Sequence, residues 1–503
     1  MSTHAPILPI LIAFAAALLQ MVCDRLSFQR FVGLLSAALL VLVGIWLTWL
    51  ADDGQTRVYA LGDWPAPFGI VLVVDRLAAV MVLLAAVLGF AALLYASAGF
   101  DQRGKHFHPL FQLQLMGLLG AFLTGDLFNL FVFFEVMLLA SYTLLAHGGG
   151  LARTRAGISY VVLNLVGSAL FLIALGLLYG TLGTLNLADV AQRLPLPGYD
   201  RALTRLALAL LIAVFVLKAG LLPLSFWLPQ TYTAAGVPVA ALFAIMTKVG
   251  IVAILRLQVI ALAPAMPDLL DHWLTPLALA TVVFAALGTL AAARLRALAA
   301  WLVLLSAGTL LVTLAQTSAA VTAATLFYLV HSTLTGAAFF LLAGVIAEQR
   351  GPAADLLVAG PQPQATWVRI SFLVLATTLA GLPPFSGFLG KLMLLTTLRE
   401  VAAGTAVWVV LLGAGFVVMI ALAHNGGYLF WKHRTLVGPA AAIAWPRATA
   451  TLALVAAGPL LAVLARPLSD YTERTARQLH APGAYVAAVL GPAPARIARE
   501  AIR

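Results

Sequence analysis

Five ionisable side chains stand inside long apolar runs: Glu135 in FNLFVFFEVMLLASY, Lys218 in VLKAGLLPL, Lys248 in FAIMTKVGIVAIL, His331 in YLVHSTLTGAAFF and Lys391 in GFLGKLMLL. If those runs lie in lipid, each charge costs about 2.5–3.5 kcal/mol to place at the bilayer centre, and such residues usually serve an ion or proton path. All five are groups that take up and release protons. Unlike neighbours restore each other's charged state, so Glu135 is expected to pair directly with a lysine, Lys218 foremost. A buried lysine gives up its proton readily, whereas a guanidinium holds it, which fits amines to a relay. An unperturbed imidazole titrates near neutral pH, so His331 suits a relay or a hydrogen-bonded packing role. For Glu135, Lys218 and Lys248 the structural alternative is a buried pair that fixes helix register. Lys391 has no acidic residue on its own helix. Asp75 and Arg76 open another apolar run as anchors or a structural pair, and Arg256, two turns after Lys248, is expected to reach an interface.

The elements that position these residues must be transmembrane helices. Of 503 residues, 63% are apolar and 9% charged, more apolar surface than a soluble protein of this size can hide. The charges cluster between apolar runs long enough to cross the hydrocarbon core as helix. The runs are 5–22, 32–50, 69–98, 109–124, 127–146, 157–181, 203–227, 237–263, 274–293, 297–317, 320–346, 369–398, 405–425 and 448–465. They predict an all-α polytopic membrane protein of about fourteen helices. The first run has no basic leader and no small-residue cleavage site, so it is expected to stay in the membrane.

Thirteen Lys and Arg residues fall in loops after odd-numbered helices and five in loops after even-numbered ones, which puts the odd loops in the cytoplasm and both termini outside. The net charge of +11 therefore faces lipid headgroups and does not imply nucleic acid. Cys23 is the only cysteine, so no internal disulfide, zinc or iron–sulfur site is expected, and no cofactor is implied. His147-Gly148-Gly149-Gly150 lacks the phosphate-cradling pattern of a nucleotide-binding loop, and nothing else in the chain supplies it.

Residues 219–228 read AGLLPLSFWL and residues 380–389 read AGLPPFSGFL, an offset of 161. The segments fall on helices seven and twelve. An odd separation reverses direction across the membrane, which predicts inverted repeats. Gly220 and Pro223 in the first, and Gly381, Pro383 and Pro384 in the second, should break both helices, because proline removes a backbone donor and clashes with the preceding turn. Each break is expected to line a hydrated cavity. The chain then divides into helices 1–3 (residues 1–108), a first repeat (109–263), a second repeat (274–425), and helix 14 with a basic tail (426–503).

The segments FFEVMLLASY, KAGLLPLSFWLPQTYTAAGVPVAALFAIMTKVG and GLPPFSGFLGKLML carry a resemblance over nearly the whole chain. It resembles the antiporter-like subunits shared by respiratory complex I, membrane-bound hydrogenases and Mrp-type (Pha, Mnh) multisubunit cation/proton antiporters. Within that family the tail QLHAPGAYVAAVLG is similar to the ending of the D-type Mrp subunit, the Pha form most closely. The resemblance implies that Glu135 and Lys218 form the pair on helices five and seven, that Lys248 passes protons toward the central axis, and that Lys391 is the terminal relay residue. It implies a bacterial plasma-membrane location, companion membrane subunits in a hetero-oligomer, and transport of protons against Na+ or K+. The sequence departs from the pattern twice. Gly336 stands where the family commonly has a lysine, and helix ten reads WLVLLSAG without a histidine or glutamine. The relay between Lys248 and Lys391 is therefore expected to use His331, Ser306, Thr335 and water. The expected function is a proton-translocating antiporter subunit, neither an enzyme nor a metal protein. The runner-up is a proton-pumping subunit of a redox complex. A stand-alone carrier would need a polar and aromatic pocket at the midplane, and the sequence offers lysines there instead.

Overall fold

The computed structural model describes residues 4–316, 318–363, 365–401, 403–432 and 442–491. Arg434 and the basic end of the tail, 492–503, lie outside them. Fourteen apolar helical segments follow in chain order: α1 (Leu8–Val22), α2 (Leu26–Ala51), α3 (Arg76–Ala96), α4 (Phe107–Leu123), α5 (Leu127–Ala146), α6 (Leu151–Leu182), α7 in two pieces (Arg201–Ala219 and Trp227–Ala234), and α8, interrupted (Val237–Phe243 and Met246–Leu257). Then come α9 (Leu274–Leu290), α10 (Leu295–Leu314), α11 (Ala319–Gln349), α12 in two pieces (Thr366–Ala380 and Ser386–Thr397), α13 (Gly404–Phe430) and α14 (Trp445–Val455 and Ala457–Val463). Among the described residues, ten helices are long and apolar enough to cross a membrane, and α1, α4, α9 and the first piece of α12 are shorter apolar helices.

Several helices start on a side-chain cap that satisfies an otherwise open backbone donor: Asp75 for α3, Asp126 for α5, Asp200 for α7 and Ser318 for α11. α11 forms the hub and is buried along its length, with α8 nearly as enclosed. Outer helices turn large apolar side chains away from the bundle, among them Phe31, Trp49, Leu172 and Phe416. Such a surface suits lipid or companion subunits and not water.

The loops sort by side. Arg30 pairs with Asp101 (2.7 Å), Arg296 with Asp355 (2.9 Å) and Arg447 with Glu348, each joining loops or helix ends on the odd-numbered side. Arg256 with Asp75 (2.8 Å), Arg205 with Asp268 (2.6 Å) and Arg474 with Asp52 (3.0 Å) join elements on the even-numbered side. No ion pair among the described residues crosses between the two groups.

Two stretches differ from expectation. The run beginning at residue 69 opens as a strand, β2 (Val71–Val74), antiparallel to β1 (Arg57–Ala60), and the helix starts only at Arg76. Its Val-rich start is β-prone, and Asp75 ends the strand by capping α3. After α14 the chain continues as an amphipathic helix, α15 (Ala465–Leu479), and α16 (Pro482–Leu490). These lie on the even-numbered side: Tyr471 donates to the Arg76 carbonyl (3.1 Å), Gln478 to the Gly54 carbonyl (3.0 Å), and His480 bonds Thr322 (2.9 Å). Arg256 forms a buried bidentate pair with Asp75, the cap of α3, both bonds 2.8 Å.

Candidate functional site

The two breaks repeat each other at the level of single hydrogen bonds. Gly220 and Gly381 both end their helix piece at φ +83°, a left-handed conformation that L side chains rarely adopt. Leu221 donates to the Val216 carbonyl and Leu382 to the Thr377 carbonyl, each at 3.0 Å and each pair offset by 161 residues. A Cβ at Gly381 would sit 2.8 Å from Lys391 Cδ, so a larger residue there would displace the lysine side chain. Protein groups satisfy much of the first break: Trp227 Nε1 donates to the Leu217 carbonyl (3.2 Å), and the Leu222 N–H donates to Thr281 of α9 (2.9 Å). Beside the second break lies a groove of about 420 Å³ lined mainly by Phe372, Leu382, Met419, Leu422 and Phe430. That lining is mostly apolar, with Arg369 and Thr377 at its edge, so this groove is not itself the hydrated cavity expected at the break.

Lys218 occupies the last turn of the first piece of α7 and is buried. Its Nζ donates to Asn164 Oδ1 of α6 at 2.9 Å, and Asn164 Nδ2 donates to the Tyr160 carbonyl at 2.8 Å, which turns the amide oxygen toward the amine. Glu135, on α5, accepts from Ser168 of the same α6. The expected direct Glu135–Lys218 ion pair is absent. α6 lies between the two and presents Asn164 and Ser168 one turn apart, so each charge bonds a polar neighbour while their attraction persists at longer range. The sequence offers only a hint of these residues: Tyr160, Asn164 and Ser168 form a polar stripe at helical spacing in a lipid-facing helix, but which charge they face is set by packing.

Lys248 is fully buried on α8, just after an interruption at residues 244–245. There Lys248 N–H bonds the Ile245 carbonyl at 3.0 Å in a tightened turn. Its Nζ donates to Ser306 Oγ of α10 at 3.1 Å. One turn along α10, Thr309 donates to the Leu305 carbonyl (2.9 Å) and lies beside the hydroxyl of Tyr328 on α11. One turn along α11, His331 Nδ1 lies 2.9 Å from Ser386 Oγ, the first residue of the second piece of α12. Tyr328 and Ser386 join the residues expected here, and the Thr335 hydroxyl donates back to the His331 carbonyl (2.8 Å) as that of Ser306 does to Val303 (2.8 Å). At Gly336 an added Cβ would lie 3.3 Å from Val303 Cγ2, a tight contact that a larger side chain meets only if Val303 gives way.

Lys391 reaches back from the second piece of α12 to the first and donates to the carbonyls of Ala380 (2.9 Å) and Leu379 (3.3 Å). The break leaves these acceptors open, and they form the negative end of the half-helix dipole, which favours a cation. Lys391 therefore has backbone counter-charge where it has no acid. Among the described residues no three His, Cys, Asp or Glu side chains group to hold a metal ion.

A polytopic bundle with two matched helix breaks and buried titratable groups strung through hydrogen-bonding side chains defines an ion-translocating membrane subunit. Residues 124–417 match the family model described as NADH:quinone oxidoreductase/Mrp antiporter, transmembrane. The chain is 40% identical to the D-type subunit of the probable K(+)/H(+) antiporter of Rhizobium meliloti, covering 95% of this chain and 96% of that one. It is 33% identical to the D-type subunit of the Na(+)/H(+) antiporter of Alkalihalophilus pseudofirmus, covering 96% and 99%. Its fold is similar to a chain in the structure of the Mrp complex from Dietzia sp., with a TM-score of 0.88 and 25% identity over 97% of this chain and 99% of that one. The protein belongs to the NADH:quinone oxidoreductase/Mrp antiporter family of membrane subunits.

Proposed function

We propose that this chain is the proton-carrying subunit of a multisubunit Na+(K+)/H+ antiporter in the bacterial plasma membrane, a secondary transporter driven by the proton motive force. The observation that carries the reading is the sequence of side-chain contacts through the bundle. Glu135 with Ser168 and Lys218 with Asn164 lie on α5, α6 and α7; Lys248 with Ser306, Thr309 with Tyr328, and His331 with Ser386 continue from α8 to α12. Lys391 ends the series on open helix carbonyls. Water completes the gaps between these pairs, and protons pass as each amine or imidazole charges and discharges in turn. The two repeat units, 109–263 and 274–425, each contribute one broken helix and its lysine. At Lys391 an ammonium satisfies the exposed carbonyl end of the half-helix and a neutral amine does so weakly. Protonation there is thus coupled to how firmly the two pieces of α12 hold together.

The redox-pump reading shares the same path, and the family includes both kinds of complex. The full-length similarity to D-type antiporter subunits favours exchange over redox drive. No cluster of carboxylates among the described residues would serve as a dedicated sodium site, so cation exchange requires the companion subunits. The test is antiport by everted vesicles carrying the whole complex, the complex lacking this subunit, and the complex with Lys218→Ala or Glu135→Ala. Loss of exchange in all three altered complexes, with normal assembly of the point variants, is expected. Native exchange in either point variant would end the reading.

A further inference from the structure

A cleft walled by charged side chains lies away from the relay, at the odd-numbered and hence cytoplasmic end of the bundle. It measures about 880 Å³ and opens between the N-terminal ends of α6 and α10 and the second piece of α7. Four guanidinium groups surround it: Arg153, Arg155, Arg294 and Arg296. Arg153 is held in place by donating to the carbonyls of His147 (2.8 Å) and Ala234 (3.2 Å). Arg294 and Arg296 are held by Asp355, at 3.2 and 2.9 Å. Burial pushes the Asp355 carboxyl upward, but the hydrogen bond from Arg296 and the charges of Arg296 and Arg294 outweigh it and hold the group below its ordinary value. Asp355 is therefore ionised at neutral pH, and it is one carboxylate against four guanidinium groups. Arg155 is exposed and has no acidic partner among the described ion pairs.

Three pre-positioned forks and one free one around a cleft of ligand size are a site for an anion, and guanidinium groups match phosphate oxygens in pairs. The surroundings select the kind of phosphate. Leu151 and Ile158 at the start of α6 are 66% and 61% exposed, and Trp301 on the cleft wall is partly exposed. Apolar side chains beside a tryptophan and a basic cluster mark the level where acyl chains meet headgroups. We propose that this cleft binds the phosphodiester headgroup of an anionic phospholipid of the cytoplasmic leaflet, with its acyl chains running along the outer face of α6. The cleft wall includes Ala156 and Ser159, on the turn before Tyr160, whose carbonyl orients Asn164 toward Lys218. Lipid occupancy therefore steadies the helix that supplies the lysine's partner.

The experiment uses the intact complex, depleted of lipid in detergent and titrated with short-chain phosphatidylglycerol, phosphatidylcholine or inorganic phosphate, with bound ligand counted by native mass spectrometry. Saturable phosphatidylglycerol binding is expected, with phosphatidylcholine much weaker and inorganic phosphate unable to displace the lipid at equal concentration. Arg155→Gln should weaken phosphatidylglycerol binding about fivefold, the worth of one basic residue at an anionic membrane surface, and Arg155→Lys should restore most of it. Equal binding of the two lipids, displacement by inorganic phosphate, or phosphatidylglycerol affinity unchanged in Arg155→Gln would overturn the assignment. So would an Arg155→Cys crosslink, in a Cys23→Ser background, to an acidic segment of a companion subunit filling the cleft.

Discussion

Replacing Asn164 by leucine removes the one side-chain acceptor that the structure gives Lys218 while keeping nearly the same volume in a buried position. Asn164 is 2% exposed, its Oδ1 lies 2.9 Å from Lys218 Nζ, and its amide nitrogen is spent on the Tyr160 carbonyl. A hydrogen bond to a charged group is worth about 1.5–3 kcal/mol, and each 1.4 kcal/mol is about tenfold in a rate or equilibrium. If the protonated amine is an obligatory state of the cycle, Asn164→Leu should slow exchange about ten- to a hundredfold. The complex should still assemble, because the one donor stranded is Lys218 Nζ, which can discharge to a neutral amine, and the Tyr160 carbonyl remains within its helix ladder. Ser168→Ala should act in the same direction from the Glu135 side. The double variant should then lose less than the product of the two, since both weaken one long-range pair. The assay is pH-gradient collapse on cation addition to everted vesicles, normalised to complex content. Native-rate exchange by Asn164→Leu would refute the idea that α6 mediates between Glu135 and Lys218.

Other consequences follow from single contacts. Tyr328→Phe removes the hydroxyl beside Thr309 and keeps the ring, so exchange should fall about tenfold or more with normal assembly; an unaffected rate would place the path elsewhere. Asp75→Asn leaves the fully buried Arg256 without its counter-charge, and loss of one partner from such a pair costs about 3–5 kcal/mol, so the variant should show reduced complex in membranes and a lower thermal midpoint. Asp101 sits in the loop between α3 and α4. Burial raises its carboxyl, but the Arg30 and His108 hydrogen bonds prevail and hold it at about 2. Because this folded-state value is depressed, its contribution of about 2 kcal/mol is present above pH ~4 and is lost as pH falls through about 2. Asp101→Asn should remove that acid-dependent part of the thermal stability, read by comparing wild type and variant between pH 6 and pH 3.

The membrane helices and both breaks were legible because lipid makes strong demands on sequence. Only long apolar runs can cross, and Gly220 with Pro223 and Gly381 with Pro384 interrupt two of them at one offset. The charged residues stood out for the same reason. What the chain did not reveal were the neutral partners. Asn164, Ser168, Tyr328 and Ser386 cost little in an apolar helix, and which of many such residues face a lysine depends on helix rotation and packing. The interruption of α8 at Ala244 and Ile245 carries no glycine or proline, so the usual sequence mark of a break is missing there. The Asp75–Arg256 pair joins residues 181 apart, a distance at which spacing carries no information. The C-terminal helix α15 was read only as basic tail, although its alternation of Tyr471, Thr475 and Leu479 with charged residues is an amphipathic pattern.

The central claim is that the buried lysines work by giving up their protons, and Lys391→Arg tests it most directly. Arginine keeps the positive charge and can still donate to the open carbonyls of Leu379 and Ala380, so a lysine that served only as fixed charge would tolerate the change. A guanidinium does not release its proton at any pH the complex experiences. The measurement is proton-coupled cation exchange by the assembled complex in everted vesicles, with complex content checked in the same membranes. Exchange at the level of vesicles lacking the complex, with native complex content, is the predicted result. Exchange at the native rate would contradict the account and leave Lys391 as a fixed counter-charge to the half-helix.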